Sequence, residues 1–158
     1  DDGHDTLTFN GSAANEIYEL SANGQRLRFT RNIASIVMDV DGVEQVDLRV
    51  FSGTDTVTVN DLAATTVSEV NVDLAGTFGG TTGDAQVDAV IVNGTAAGDF
   101  IQAVVDGGAV NVQGLAAFVQ IRRTEVSNDQ LTINGLGGVD LIVPGAGVTG
   151  LVGLTINQ

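Results

Sequence analysis

Apolar and polar residues alternate with a period of two along most of the chain. Thr6-Leu7-Thr8-Phe9, Arg26-Leu27-Arg28-Phe29, Asp47-Leu48-Arg49-Val50, Thr56-Val57-Thr58-Val59, Val70-Asn71-Val72-Asp73, Val110-Asn111-Val112-Gln113, Val119-Gln120-Ile121-Arg122 and Leu131-Thr132-Ile133-Asn134 all follow it. Such alternation places one set of side chains on a buried face and the other toward solvent, as β-strands do. Asn10-Gly11, Asn23-Gly24, Asp41-Gly42, Asn93-Gly94 and Asp106-Gly107 read as turns between strands. No stretch carries a long helical period. The pattern predicts an all-β protein with strand centres about ten residues apart, the spacing of a sandwich, barrel or solenoid.

The chain also repeats itself. Asp5-Thr-Leu-Thr-Phe-Asn-Gly-Ser-Ala-Ala matches Asp88-Ala-Val-Ile-Val-Asn-Gly-Thr-Ala-Ala at a shift of 83. At the same shift Leu27 and Phe29 fall on Val110 and Val112, Ile36 and Met38 on Val119 and Ile121, and Leu48 and Val50 on Leu131 and Ile133. A slip of one or two residues then sets Gly53–Val57 on Gly138–Ile142, and Val70 and Val72 on Leu154 and Ile156. Two copies are predicted, over 1–74 and 88–158, joined by a Gly/Thr-rich connection at 75–87, with one continuous solenoid domain as a further way to divide the chain. A right-handed parallel β-helix (a solenoid) and two tandem β-sandwiches both fit. A core of Val, Ile, Leu and Ala with only 4% aromatic residues favours the β-helix.

Composition narrows the function classes. A hydrophobic content of 43% supports a packed core rather than disorder. The net charge is −14, with six arginines and no lysine. That balance argues against nucleic acid and anionic membrane surfaces, both of which need cationic groups. It suits a hard cation such as Ca²⁺, bound through oxygens, or simply a soluble surface. With no cysteine there is no disulfide, thiolate metal site or cysteine nucleophile. No run approaches the roughly 18 apolar residues of a membrane span. The start at Asp1-Asp2-Gly3 reads as a piece cut from a longer polypeptide.

Three segments share a Gly-x-Asp-x-aliphatic pattern: Gly3-His4-Asp5-Thr6-Leu7, Gly53-Thr54-Asp55-Thr56-Val57 and Gly138-Val139-Asp140-Leu141-Ile142. This is the second half of the calcium-binding nonapeptide of parallel β-rolls. Asp5, Asp55 and Asp140 are therefore candidate calcium ligands; the competing reading has each carboxylate capping its turn through a backbone N–H. Together with Gly83–Thr95, Gly114–Ala117 and Asn128–Ile142, these segments resemble the degenerate β-rich regions beside hemolysin-type (RTX) calcium-binding repeats of large secreted bacterial proteins. The resemblance implies export, by a type I pathway, to an extracellular or cell-surface site. No full nonapeptide occurs, and none repeats in immediate tandem.

Catalytic signals are sparse. His4 is the one histidine, and it reads as a solvated side chain near a terminus. Asp39, Asp41 and Glu16 are the acids to weigh for glycoside hydrolysis, and same-face acids of this kind read more simply as the wet side of a strand. Arg26, Arg28 and Arg31, with Arg122-Arg123, are the only basic candidates for a polysaccharide-active β-helix. Asn10-Gly11-Ser12 and Asn93-Gly94-Thr95 fit a glycosylation sequon and read better as turns. The expectation is a non-catalytic structural or adhesion module of a secreted or cell-surface bacterial protein. A calcium-dependent folding module and a polysaccharide-active enzyme are the alternatives. Its partner would be a second copy or an extracellular carbohydrate or protein.

Overall fold

The computed structural model describes residues 3–158, and it is all-β. The first copy supplies seven strands: β1 (Thr6–Asn10), β2 (Ile17–Asn23), β3 (Arg26–Arg31), β4 (Ile36–Val40), β5 (Gln45–Arg49), β6 (Thr56–Val59) and β7 (Glu69–Asp73). The second supplies their counterparts: β8 (Ala89–Asn93), β9 (Phe100–Asp106), β10 (Ala109–Gln113), β11 (Phe118–Arg122), β12 (Gln130–Asn134), β13 (Leu141–Pro144) and β14 (Gly153–Asn157). The connection at 75–87 holds no strand.

Two seven-stranded sheets form, in the orders β1-β5-β7-β11-β10-β9-β13 and β14-β12-β8-β6-β2-β3-β4. Every strand of the first copy lies in the opposite sheet from its counterpart, as a half-turn between copies would produce. The sheets are mixed, a departure from the all-parallel helix expected. Most pairs are parallel, but β2-β3-β4 and β9-β10-β11 are antiparallel meanders. The β2–β3 and β9–β10 hairpins use glycines as turn chemistry requires, whereas the β3–β4 reversal places Ala34 and Ser35 at positive φ. Gly107 and Gly108, at φ 56° and 82°, make the two-residue loop between β9 and β10, and both positive angles suit a turn matched to strand twist.

The copies are continuous in both sheets. β6 pairs in parallel with β8, and β7 pairs in parallel with β11. The inward residues of both sheets make a single apolar core: Leu20, Phe29, Leu48, Val57, Val72, Val90, Val119, Ile121 and Ile133 are all buried in it. Small β-branched side chains fill this narrow space, while Phe9, Tyr18 and Phe29 cluster toward one end.

Strand pairing corrects two sequence registers. Phe29 faces Met38 across β3–β4, and Val112 faces Val119 across β10–β11. Met38 and Val40, not Ile36 and Met38, are thus the counterparts of Val119 and Ile121. Phe9 pairs with Leu48, and Val92 pairs with Ile133, so Val46 and Leu48 correspond to Leu131 and Ile133. Loop-length differences, invisible to a fixed shift, account for both slips. The β3–β4 reversal is longer in the first copy, and the β11–β12 connection is longer in the second.

Candidate functional site: a buried staircase of acids

An acid stands immediately before most of the parallel strands, and these acids link strand to strand. The Glu16 N–H donates to Asp55 Oδ1 (2.8 Å), the Asp55 N–H to Asp88 Oδ1 (2.9 Å), and the Asp88 N–H to Asp129 Oδ1 (3.2 Å). The four acids precede β2, β6, β8 and β12, which are neighbours in one sheet. All four are buried. Two shorter flights occupy the other sheet. There the Asp5 N–H donates to Glu44 Oε2 (2.8 Å) and the Asp99 N–H to Asp140 Oδ1 (2.9 Å).

Three of these carboxylates also close the tight loop that precedes them. Ser12 N–H donates to Glu16 Oε2 (2.8 Å), Thr95 N–H to Asp99 Oδ2 (2.7 Å) and Glu125 N–H to Asp129 Oδ2 (2.6 Å). The hydroxyls of Ser12 and Thr95 add further bonds to the same carboxylates. Their place in Asn-Gly-Ser/Thr therefore has a structural use.

Gly11, Gly94 and Gly135 do not supply positive φ, unlike Gly24 or Gly107. They supply space. A Cβ on Gly94 would sit 2.7 Å from Asp99 Oδ2 and 2.8 Å from the Gly135 carbonyl oxygen; one on Gly11 would sit 2.6 Å from Glu16 Oε2. Gly94→Ala is expected to cost about 2 kcal/mol, because a rigid carbonyl as well as the carboxylate must move. Chemical denaturation of the variant checks this, and a loss below about 0.5 kcal/mol would show that the loop yields easily.

Glu16 is the most heavily bonded acid. It accepts from Arg31, Tyr18 Oη, Ser12 Oγ and Ser12 N–H. Burial opposes its charge, but these donors together hold its pKa below the ordinary value. Burial and the adjacent Glu16 carboxylate push the Tyr18 phenol up, which keeps it protonated as a donor. Arg31 also lies over the Phe9 ring at 5.8 Å.

Asp55 and Asp88 behave oppositely. Burial raises each to about 7, and the neighbouring carboxylates add to the rise against backbone N–H bonds that lower it. Asp129 is raised for the same first cause. Asp55 Oδ2 is buried with no hydrogen-bond partner among the described residues.

The three sequence-derived calcium candidates are not brought together. Asp5 precedes β1 and Asp140 precedes β13, at opposite edges of one sheet, while Asp55 lies inside the other. Each occupies a separate step of a staircase. Among the described residues no group of three or more acids or histidines is placed to hold a metal ion. The candidate catalytic acids and bases are also dispersed. Asp39 of β4 and Asp41 just beyond it pair with Arg26 (3.0 and 3.3 Å), Glu16 is enclosed with Arg31, and Arg123 pairs with Asp73 at 2.8 Å. A shallow depression of about 230 Å³ on the outer face of the other sheet is lined by Asp47, Arg49, Glu69, Asn71, Asp73 and Arg122. Its polar groups bond one another, as with Asn71 Nδ2 to Asp47 and to Glu69.

The sequence pattern does not mark Glu16 as a linking acid, and it passes over Asp88, Asp99 and Asp129. The signal that could have found two of them is Asn-Gly-x-x-x-x-acid, which occurs as Asn10…Glu16, Asn93…Asp99 and Asn134…Asp140. It marks a glycine whose missing Cβ admits the carboxylate five residues later.

Comparison with family models, with curated proteins and with solved structures returned no match for this chain. What fold and site define together is an all-β, two-sheet protein of internally repeated units held by buried acid-to-backbone bonds.

Proposed function

We propose that this chain is a non-catalytic scaffold or adhesion module of a secreted or cell-surface protein, built as a right-handed β-solenoid. Its two sheets are the walls of the solenoid, and a three-stranded meander is inserted in each copy. The observation that carries this reading is the joint between copies. One repeat adds its strands to both sheets of the other, so length grows by repetition while a single narrow core continues. The linking acids are spent on backbone N–H groups, and one of those bonds, Asp55 N–H to Asp88 Oδ1, crosses the joint. Secretion and the surface location rest on the resemblance to RTX-flanking regions.

Thermal unfolding followed by circular dichroism, in EDTA and then in millimolar Ca²⁺, tests the reading. The midpoints are expected to agree within about 2 °C, since backbone N–H groups already occupy Asp55 Oδ1 and Asp140 Oδ1. A large upward shift with Ca²⁺ would mean that the ion binds the folded state preferentially. The calcium-dependent folding module would then replace the metal-independent scaffold.

A further inference from the structure

The joint between the copies has a template at each end of the molecule. Within the chain, β6 and β7 receive β8 and β11. The counterparts of β6 and β7 are β13 and β14, and these are the free edges of the two sheets at one end. The counterparts of β8 and β11 are β1 and β4, the free edges at the other end. Each end therefore carries the strands that the opposite end would receive.

Burial marks the same positions. Val90, Val92, Val119 and Ile121 are fully buried at the internal joint; their counterparts Leu7, Phe9, Met38 and Val40 are only partly buried. Val70 and Val72 are fully buried; Leu154 and Ile156 are only partly so. At these positions the inward apolar side chains of the edge strands are less covered than those at the joint.

The acid staircase gives a separate indication. One sheet holds the complete flight Glu16–Asp55–Asp88–Asp129. The other holds its two halves, Asp99–Asp140 at one edge and Asp5–Glu44 at the other. The missing step is the equivalent of Asp55 N–H to Asp88 Oδ1, which would run from Asp140 N–H to Asp5 of another copy.

We infer that the two ends are complementary docking surfaces for a second copy of this chain, joined head to tail by β13 with β1 and by β14 with β4, both in parallel. The inference deepens the scaffold reading and rests on it. By analogy with the internal joint, Leu141 falls opposite Thr6, Ile142 opposite Leu7 and Leu154 opposite Met38. The outward pairs, Leu141 with Thr6 and Val143 with Thr8, match Thr56 with Ala89 and Thr58 with Ile91 in character with the sides exchanged. The arrangement is open-ended, so it builds filaments rather than closed dimers. Seven strands per sheet in each chain set the axial rise at about 34 Å.

Pro144 tempers the docking. It is the chain's one proline and stands where Val59 stands at the internal joint. Leu141 and Gly145 donate their N–H groups to β9, so position 144 faces the free edge, where proline removes one donor.

The experiment is sedimentation velocity of the 158-residue chain from 10 µM to 1 mM in 0.5 M NaCl, which screens the net charge of −14. Electron microscopy of the concentrated sample accompanies it. Reversible growth into linear species with a rise of about 34 Å is expected. Pro144→Val, which restores one ladder bond, is expected to tighten association about fivefold. Thr8→Pro, which removes a free-edge donor on β1, is expected to weaken it at least fivefold. Monomers at every concentration for both the natural chain and Pro144→Val would overturn the inference, and so would growth that stops at a dimer. The scaffold reading stands or falls separately, on the EDTA and Ca²⁺ midpoints.

Discussion

Glu16→Ala is expected to destabilise the fold by about 3–5 kcal/mol, the range for removing one partner of a buried ion pair. Arg31 is only 12% exposed at its side chain and would keep its charge without its carboxylate. Tyr18 Oη and Ser12 N–H would lose their acceptor as well. Glu16→Gln keeps the shape and some of the bonds but still leaves the guanidinium unneutralised, so its loss should be smaller and of the same sign. Urea unfolding at pH 7 measures both variants. A loss under about 1 kcal/mol for the alanine variant would mean that Arg31 swings out to solvent and that the enclosed pair contributes little.

Acidification from pH 8 to pH 5 is expected to stabilise the protein, contrary to the behaviour of salt-bridged carboxylates. Asp55 and Asp88 titrate near 7 when folded and near 3.8 as free side chains. Between those values the folded state holds protons that the unfolded state has released. Their contribution is thus fully present below about pH 4 and is lost as pH rises through 7. Glu16 works the other way. Its lowered pKa gives stability that is present above about 4.5 and lost as pH falls through its folded value. The optimum should lie near pH 5. A tenfold change in proton affinity is equivalent to about 1.4 kcal/mol, so two aspartates that each hold a proton from pH 5 up to about 7 should together contribute on the order of 5 kcal/mol to the change from pH 8. Asp55→Asn, which keeps an oxygen for the Glu16 N–H and removes the charge, should raise the midpoint at pH 8 and leave it nearly unchanged at pH 5. A midpoint that is equal or lower at pH 5 in the natural chain would show that both aspartates are ionised in the folded state.

These two expectations concern acids that the sequence pattern ranks differently. Asp55 is visible as part of Gly-x-Asp-x-aliphatic, a pattern that points to calcium; its burial and its bond to Glu16 are not visible there. Glu16 is legible only as a candidate acid for hydrolysis, because Ile17-Tyr18-Glu19-Leu20 does not declare which neighbour will cover the residue before it. The Asn-Gly pairs are legible as chain reversals, yet Gly94 and Gly135 are there for want of a Cβ, a need set by carboxylates five residues ahead.

By itself the sequence determined the strands, their inward faces and the two-fold repetition. Period-two alternation and turn glycines are local properties, and a duplicated pattern survives small insertions. It did not determine the sheets. Whether the two copies form separate sandwiches or share both sheets depends on which edges meet, and only the tertiary structure decided that β6 takes β8 and β7 takes β11. The registers of β4 and β5 against their counterparts were likewise decided by strand pairing, because a loop change of an even number of residues leaves the alternation intact on either side. The staircase follows from the same cause. Its steps join residues 33 to 41 apart along the chain, and such a bond exists only once stacking has brought successive strand starts into line.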